Sequence, residues 1–169
     1  MSRLLLLRHA RAAWAEPGSR DFDRPLEPSG REDGAAVARM MVGAGFLPDA
    51  VLCSTARRAR ETWEDVARII GRAEGDASFT DDLYSTDAAG YLALVREAGG
   101  NGTLLVVGHN PMVEDLAFAL APVGDEASLA ALASGFPTAG LAVILCDGPL
   151  SEIEPQKARL EAFFSPVEA

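Results

Sequence analysis

Short apolar runs alternate along this chain with segments of helical period, and this alternation restricts the fold more than any other feature of the sequence. Residues 3–7 form an apolar run that ends abruptly at Arg8 and His9, the pattern of a strand buried on both faces. Residues 50–53 and 103–107 repeat it, and a weaker strand is expected at 77–80. Between these runs lie helical segments. Ser29 and Glu32 have capping-box spacing ahead of a helix with Ala36, Val37, Met40 and Met41 inward, ending near Gly43 or Gly45. Ser54 or Thr55 caps a second helix carrying Ala59, Trp63, Val66, Ala67 and Ile70 on one face, stopped by Gly71. A third helix is expected at 87–98. A fourth has Asn110 as its cap, Pro111 at its first position, and Val113, Leu116, Ala117 and Leu120 as its stripe. Residues 125–134 suit a short helix. Residues 139–146 form a long β-rich run, and 158–164 are expected to return beside it as an edge strand. The predicted fold is a three-layer α/β/α sandwich, its sheet mostly parallel with an antiparallel edge strand, formed by one domain over residues 1–169.

Composition removes several function classes. The formal net charge is -10, which argues against nucleic acid or an anionic membrane surface as partner. No apolar run approaches the ~20 residues of a membrane span, and residues 4–7 are too short for a signal-peptide core, so a cytoplasmic location is expected. The two cysteines, Cys53 and Cys146, sit in apolar runs and are expected to be buried free thiols. Of 15 basic residues all but Lys157 are arginine. Arginine holds oxyanions in forked contacts, so its clusters mark local anion sites in an acidic chain.

The chain's two histidines, His9 and His109, each follow directly on a predicted strand. Ligands of open α/β sheets bind beyond the carboxyl ends of strands, so the two rings are expected to share one cleft. Residues 51–54 lead toward Arg57 and Arg58 at a comparable place, and helix starts near Thr55 and Asn110 would turn backbone N–H groups toward an anion there. The long segment 9–28, with Pro17, Gly18, Pro25 and Pro28, is read as a functional loop. Trp14 in it either lines the cleft or packs beneath the loop. Trp63 is a core residue.

Leu7-Arg8-His9-Ala10 resembles the Arg-His-Gly motif of the histidine phosphatase superfamily, the group that includes the cofactor-dependent phosphoglycerate mutases. Ser54-Thr55-Ala56-Arg57-Arg58-Ala59-Arg60-Glu61-Thr62 resembles its second motif and Gly108-His109-Asn110-Pro111 its third. Arg-His-Ala in place of Arg-His-Gly, the small size and Asp23-Arg24-Pro25-Leu26 are most similar to the SixA-type phosphohistidine phosphatases. The resemblance implies a phosphoglycerate mutase-like fold. It also implies a phosphatase that hydrolyses phosphohistidine on a protein through a covalent phosphohistidine intermediate on His9. Arg8, Arg58 and His109 match the phosphate pocket, with Asn110 beside it, and no metal or other cofactor is implied. The partner expected is a phosphorylated protein such as a histidine-carrier domain, and a monomeric state is favoured.

Other residues carry competing readings. The Arg-Ala pair points to Arg58 and leaves Arg57 as a surface charge. Arg11 and Arg24 either reach the substrate or form loop ion pairs. Larger members of the superfamily place an acid between the second and third motifs. Asp81 and Asp82 occupy a similar place without the surrounding signature, so Asp81 is read as a turn residue and Asp82 stays open as an acid. Two function alternatives stand beside the leading one. A phosphomonoesterase for a small phosphorylated metabolite would act on small esters in preference to a carrier protein. A non-catalytic phospho-binding module would bind phosphate without turnover, and intact His9 and His109 speak against it. A metal-dependent hydrolase is disfavoured, because two histidines without nearby carboxylate spacing make a poor ligand set.

Overall fold

The computed structural model describes residues 1–166. Its strands are β1 (Ser2–Arg8), β2 (Ala50–Ser54), β3 (Ser78–Thr80), β4 (Thr103–Gly108), β5 (Val123–Gly124), β6 (Leu141–Cys146) and β7 (Arg159–Phe164). They form one sheet in the order β3-β2-β4-β1-β6-β7-β5. Pairing is parallel from β3 through β1 and between β5 and β7. The antiparallel contacts are those of β6 with β1 and with β7. The reversed strand is therefore interior. β7 does return beside β6, but the two-residue β5 lies outside it and forms the rim.

Side-chain alternation along β1 builds the two cores. Leu4 and Leu6 pack on one face with Tyr91, Val95, Val113 and Leu116. These come from α4 (Ala88–Ala98) and α5 (Met112–Leu120), beside α3 (Asp82–Ser85) and α6 (Glu126–Ala133). Leu5 and Leu7 pack on the opposite face with Val37, Met41, Trp63 and Val66, from α1 (Pro28–Ala44) and α2 (Arg57–Ile70). All four leucines are 0% exposed. Burying each one fully is worth about 1.5–3 kcal/mol, which makes β1 the spine of the molecule. Cys53 and Cys146 are buried free thiols. No helix among the described residues is long and apolar enough to cross a membrane.

Helix starts are where local reading failed. α1 begins at Pro28 with Glu27 as its N-cap and no side-chain cap bond, so Ser29 lies inside the first turn and the capping box is absent. Proline's fixed φ suits N1 and takes the start away from the serine. Met40 is only partly buried and Ala38 takes its inward place. Gly45, at φ 76°, ends α1 in the left-handed conformation that favours glycine, which settles the stop at Gly45. α2 has Ala56 as its N-cap, without a side-chain bond; neither Ser54 nor Thr55 caps it. α5 begins at Met112 with Pro111 as N-cap, one residue later than expected. Asn110 still serves its first turn, because its Oδ1 accepts from the Glu114 N–H at 3.3 Å. Asp87 and Asp125 do cap α4 and α6.

Candidate active site

Strand register alone brings the two histidines together. Arg8 pairs with Gly108 across β1 and β4, so His9 and His109 both leave the sheet at its carboxyl end. The His9 N–H donates to the Gly108 carbonyl at 3.0 Å. The ring centroids are 5.2 Å apart. On the other side of β4, Cys53 of β2 pairs with Val107, which sets Ser54 beside His109. Gly108 admits a close approach: a Cβ there would lie 2.8 Å from the Tyr91 ring. The Tyr91 hydroxyl accepts the His109 N–H at 3.1 Å and donates to the Leu83 carbonyl, fixing the backbone under the second histidine.

The two rings differ in what fixes their protons. His9 Nδ1 lies 2.7 Å from the Ala10 carbonyl, which can only accept, so Nδ1 carries the hydrogen and the Nε2 lone pair is free. His109 Nε2 lies 2.8 Å from Ser54 Oγ, which already accepts the Ala56 N–H. Ser54 Oγ keeps a second lone pair as well as its hydroxyl hydrogen, so it can accept from Nε2–H or donate to Nε2; in the second case the His109 proton sits on Nδ1. Burial pushes His9 down to about 3; the nearby His109, Arg58 and Arg8 act in the same direction, against the bond to Ala10. Burial, with Arg58 and Arg8, pushes His109 down to about 4 against the opposing Asp21.

Both rings are thus neutral in the folded chain near pH 7. Their pKa values lie below the ordinary 6.5 of an unfolded histidine, so the unfolded chain takes up protons first as pH falls. Stability from these groups is fully present above about pH 6.5 and is lost downward through about 4 for His109 and about 3 for His9. Each contributes a slope of about 1.4 kcal/mol per pH unit inside its window. Urea unfolding at pH 7 and pH 5 should therefore show His9→Asn losing about 2 kcal/mol less than the unsubstituted chain between the two pH values. Equal losses would refute a neutral buried His9.

The arginines divide by environment. Arg8, from the end of β1, donates from Nη1 to the Phe136 carbonyl at 2.8 Å. Arg58 is 8% exposed and lies over the Tyr84 ring. Its Nη1 donates to the Asp21 carbonyl at 2.9 Å and its Nη2 to Asp21 Oδ2 at 3.1 Å. Arg57 points away and pairs with Glu61 on the same helix at 3.0 Å. Among the described residues, the buried side-chain polar atoms without a partner are Arg8 Nε, His109 Nδ1 and Asp65 Oδ2. Arg8 Nε is a donor, His109 Nδ1 is one in the tautomer to which Ser54 donates, and both belong to this site. Unpaired buried donors are costly, and their convergence beside the histidine pair suits an anionic acceptor.

The remaining candidates lie elsewhere or are already committed. Asn110 Nδ2 donates to Glu114 Oε2 at 3.2 Å and to the Phe136 carbonyl at 3.3 Å, which uses both of its N–H groups and leaves none for an anion. Arg11 is a loop ion pair with Glu27 at 3.0 Å. Arg24 donates to the Ala13 carbonyl and to Asp21 Oδ1. Asp82 is exposed at the start of α3, where its N–H donates to Thr80 Oγ1. Asp81 accepts from the Thr55 hydroxyl. Trp14 is 87% exposed, with Arg24 stacked on it, so it does not pack beneath the loop. Among the described residues no group of three or more His, Cys, Asp or Glu side chains is placed to hold a metal ion.

Sequence reading missed Ser54 as the partner of His109, together with Asp21 and Tyr84. The Tyr84 hydroxyl donates to Asp21 Oδ2 at 2.9 Å, and its ring meets His109 edge-on at 5.5 Å between centroids. The loop is pinned to α2 by Ala10 N–H to Thr62 Oγ1, Leu26 N–H to Glu61 Oε1 and Asp21 to Arg58. Asp21 lay in view, three residues before Arg24, but a loop carboxylate carries no periodic signal. The Phe136 carbonyl that receives Arg8 had none at all.

The family model described as histidine phosphatase superfamily (branch 1) matches residues 4–84, the span that carries the first two motifs. An uncharacterized protein of Mycobacterium tuberculosis (strain H37Rv) is 37% identical over 164 residues, which cover 95% of this chain and 99% of that one. The chain belongs to the histidine phosphatase superfamily. Two solved structures are also similar to this superfamily member. One is a provisionally named phosphohistidine phosphatase SixA from Agrobacterium tumefaciens, 37% identical, with 97% of this chain and 98% of that chain covered and a TM-score of 0.78. The other, of the same provisional name, is from Nakamurella multipartitia, 29% identical, with 98% and 96% covered and a TM-score of 0.82. Membership in the superfamily and these neighbours support phosphatase activity.

Proposed function

We propose that this superfamily member hydrolyses phosphohistidine on a protein, with His9 carrying the phosphoryl group between two displacements. The observation that carries the reading is the pair of unpartnered buried nitrogens, Arg8 Nε and His109 Nδ1, next to a histidine whose Nε2 lone pair is free. In the first displacement the Nε2 lone pair of His9 forms a bond to phosphorus. The bond from phosphorus to the substrate's ring nitrogen breaks, and that nitrogen keeps the electron pair. The charge placed on the His9 ring is stabilised through Nδ1–H by the Ala10 carbonyl. In the second, water attacks phosphorus, Nε2 recovers its electron pair, and the water proton leaves with phosphate or solvent. Arg8, Arg58 and His109 Nδ1–H hold the three phosphoryl oxygens, because transfer needs positioning and charge stabilisation above all.

A phosphohistidine substrate is supported by the chemistry of its leaving group. Imidazole protonated on its second nitrogen departs without an acid catalyst, whereas an alkoxide needs a proton. The SixA names of the two structural neighbours point the same way. The test is dephosphorylation of a phosphorylated histidine-carrier protein against a panel of small phosphate esters, all with chelator present. Turnover of the carrier protein and not of the esters supports the reading. Turnover of the esters alone would move it to a small-metabolite phosphomonoesterase.

Asp82→Asn should keep most of the turnover on a phosphohistidine protein, since Asp82 is exposed and imidazole leaves without strong acid help. A loss of ~10³-fold, within the range of a true general acid, would show that Asp82 protonates the leaving group.

A further inference from the structure

Among the described residues, Asp21 is the one acidic side chain hydrogen-bonded to Arg8, Arg58 or His109, and the two displacements give it no task. It opens the short 3₁₀ turn Asp21–Asp23. Its Oδ2 accepts from Arg58 Nη2 at 3.1 Å and from the Tyr84 hydroxyl at 2.9 Å, and its Oδ1 accepts from Arg24 Nη1 at 3.0 Å. Partial burial pushes its carboxyl up, but the bonds from Arg24, Tyr84 and Arg58 outweigh this and hold it at about 2. It is therefore a fixed negative charge at working pH and not a proton donor. The side chain is 53% exposed. A carboxylate has about four lone-pair sites, so one remains after these three bonds.

A negative charge on an arginine that is to hold a phosphoryl dianion weakens binding of every substrate in the ground state. It is compensated where the rest of the substrate is positive. Phosphohistidine meets that condition: with the phosphoryl group on one ring nitrogen, a proton on the other makes the ring a cation and a hydrogen-bond donor. From this we infer that Asp21 is a specificity-determining residue, its carboxylate accepting the N–H of the substrate's phosphorylated imidazole at the mouth of the site. The inference rests on the proposed function and names the selection that site makes. The carboxylate favours the protonated ring, as an opposite charge does for any titrating group. On transfer the ring leaves neutral: its proton stays on the nitrogen facing Asp21, and the other nitrogen takes the electron pair of the broken P–N bond. Phosphate esters that carry a further carboxylate are repelled by the same charge, so one residue acts for one class and against the other.

Asp21→Asn keeps the size and removes the charge. Its kcat/KM should be compared with that of the unsubstituted enzyme on N-phosphoimidazole and on 3-phosphoglycerate. The ratio of the first to the second should fall about tenfold or more, since a charged hydrogen bond is lost on one side and a repulsion on the other. The alkaline limb of kcat on N-phosphoimidazole should move to lower pH, because the bound ring then loses its proton more readily. Asp21→Glu, which keeps the charge, should retain the preference. Equal losses on both substrates with an unmoved pH limb would reduce Asp21 to a positioning residue for Arg58 and overturn this inference while leaving the proposed function standing. An unsubstituted enzyme that hydrolyses 3-phosphoglycerate but neither N-phosphoimidazole nor a phosphohistidine protein would overturn the proposed function, and the role of Asp21 with it.

Discussion

His9→Ala should abolish turnover, with a loss on the order of 10⁴-fold or more, because it removes the group proposed to accept the phosphoryl. The reason lies in the bond from Nδ1 to the Ala10 carbonyl, 2.7 Å long, which commits the ring proton to one nitrogen and the lone pair to the other. Among the described residues no other nucleophile combines burial, neutrality and a free lone pair beside Arg8. Cys53 is buried, and its thiol is pushed up by desolvation, away from the thiolate form. Rapid acid-free quenching of the reaction followed by mass spectrometry should find the phosphoryl group on His9. A phosphoryl group found on serine or aspartate, or undiminished turnover in His9→Ala, would end the two-displacement scheme.

Arg58→Ala should weaken vanadate inhibition at least tenfold, while Arg57→Ala changes it less than about twofold. A charged hydrogen bond is worth about 1.5–3 kcal/mol, so losing even one at the phosphoryl oxygens reaches that threshold. The two residues are neighbours in sequence but not in environment. Arg58 is 8% exposed, against Tyr84 and Asp21; the Arg57 side chain is 55% exposed and turned toward Glu61. Competitive inhibition constants and thermal melts of the two variants separate lost contacts from lost fold. Equal effects, or a larger one at Arg57, would reassign the second motif.

The strands and their faces were legible because burial on both sides of a sheet demands continuous apolar runs, as in Leu4, Leu5, Leu6 and Leu7. α1, α2 and α5 were legible from their apolar spacing, whereas the four-residue α3 carries no such pattern and was not read. What misled was capping. Ser29, Ser54 and Thr55 each had the right chemistry for an N-cap, yet Pro28 and the path of the chain set the starts of α1 and α2. The same holds for the sheet rim: the two residues of β5 are too short to carry any pattern, so β7 was read as the edge.

Sequence alone determined that two histidines leave two buried strands, that arginines accompany them, and that the chain is α/β. These are local properties, written in runs of residue types. Tertiary structure alone decided which atoms meet. The parallel register of β1 and β4 set the rings 5.2 Å apart, the pairing of β2 with β4 brought Ser54 Oγ to 2.8 Å from His109 Nε2, and the loop of residues 9–27 brought Asp21 onto Arg58, 37 residues away. Nothing in the chain's order encodes those distances, because they depend on how the sheet closes and where a loop without periodicity is pinned. The separation of Arg57 from Arg58 has the same origin: one turn of helix meets solvent on one side and the strand ends on the other.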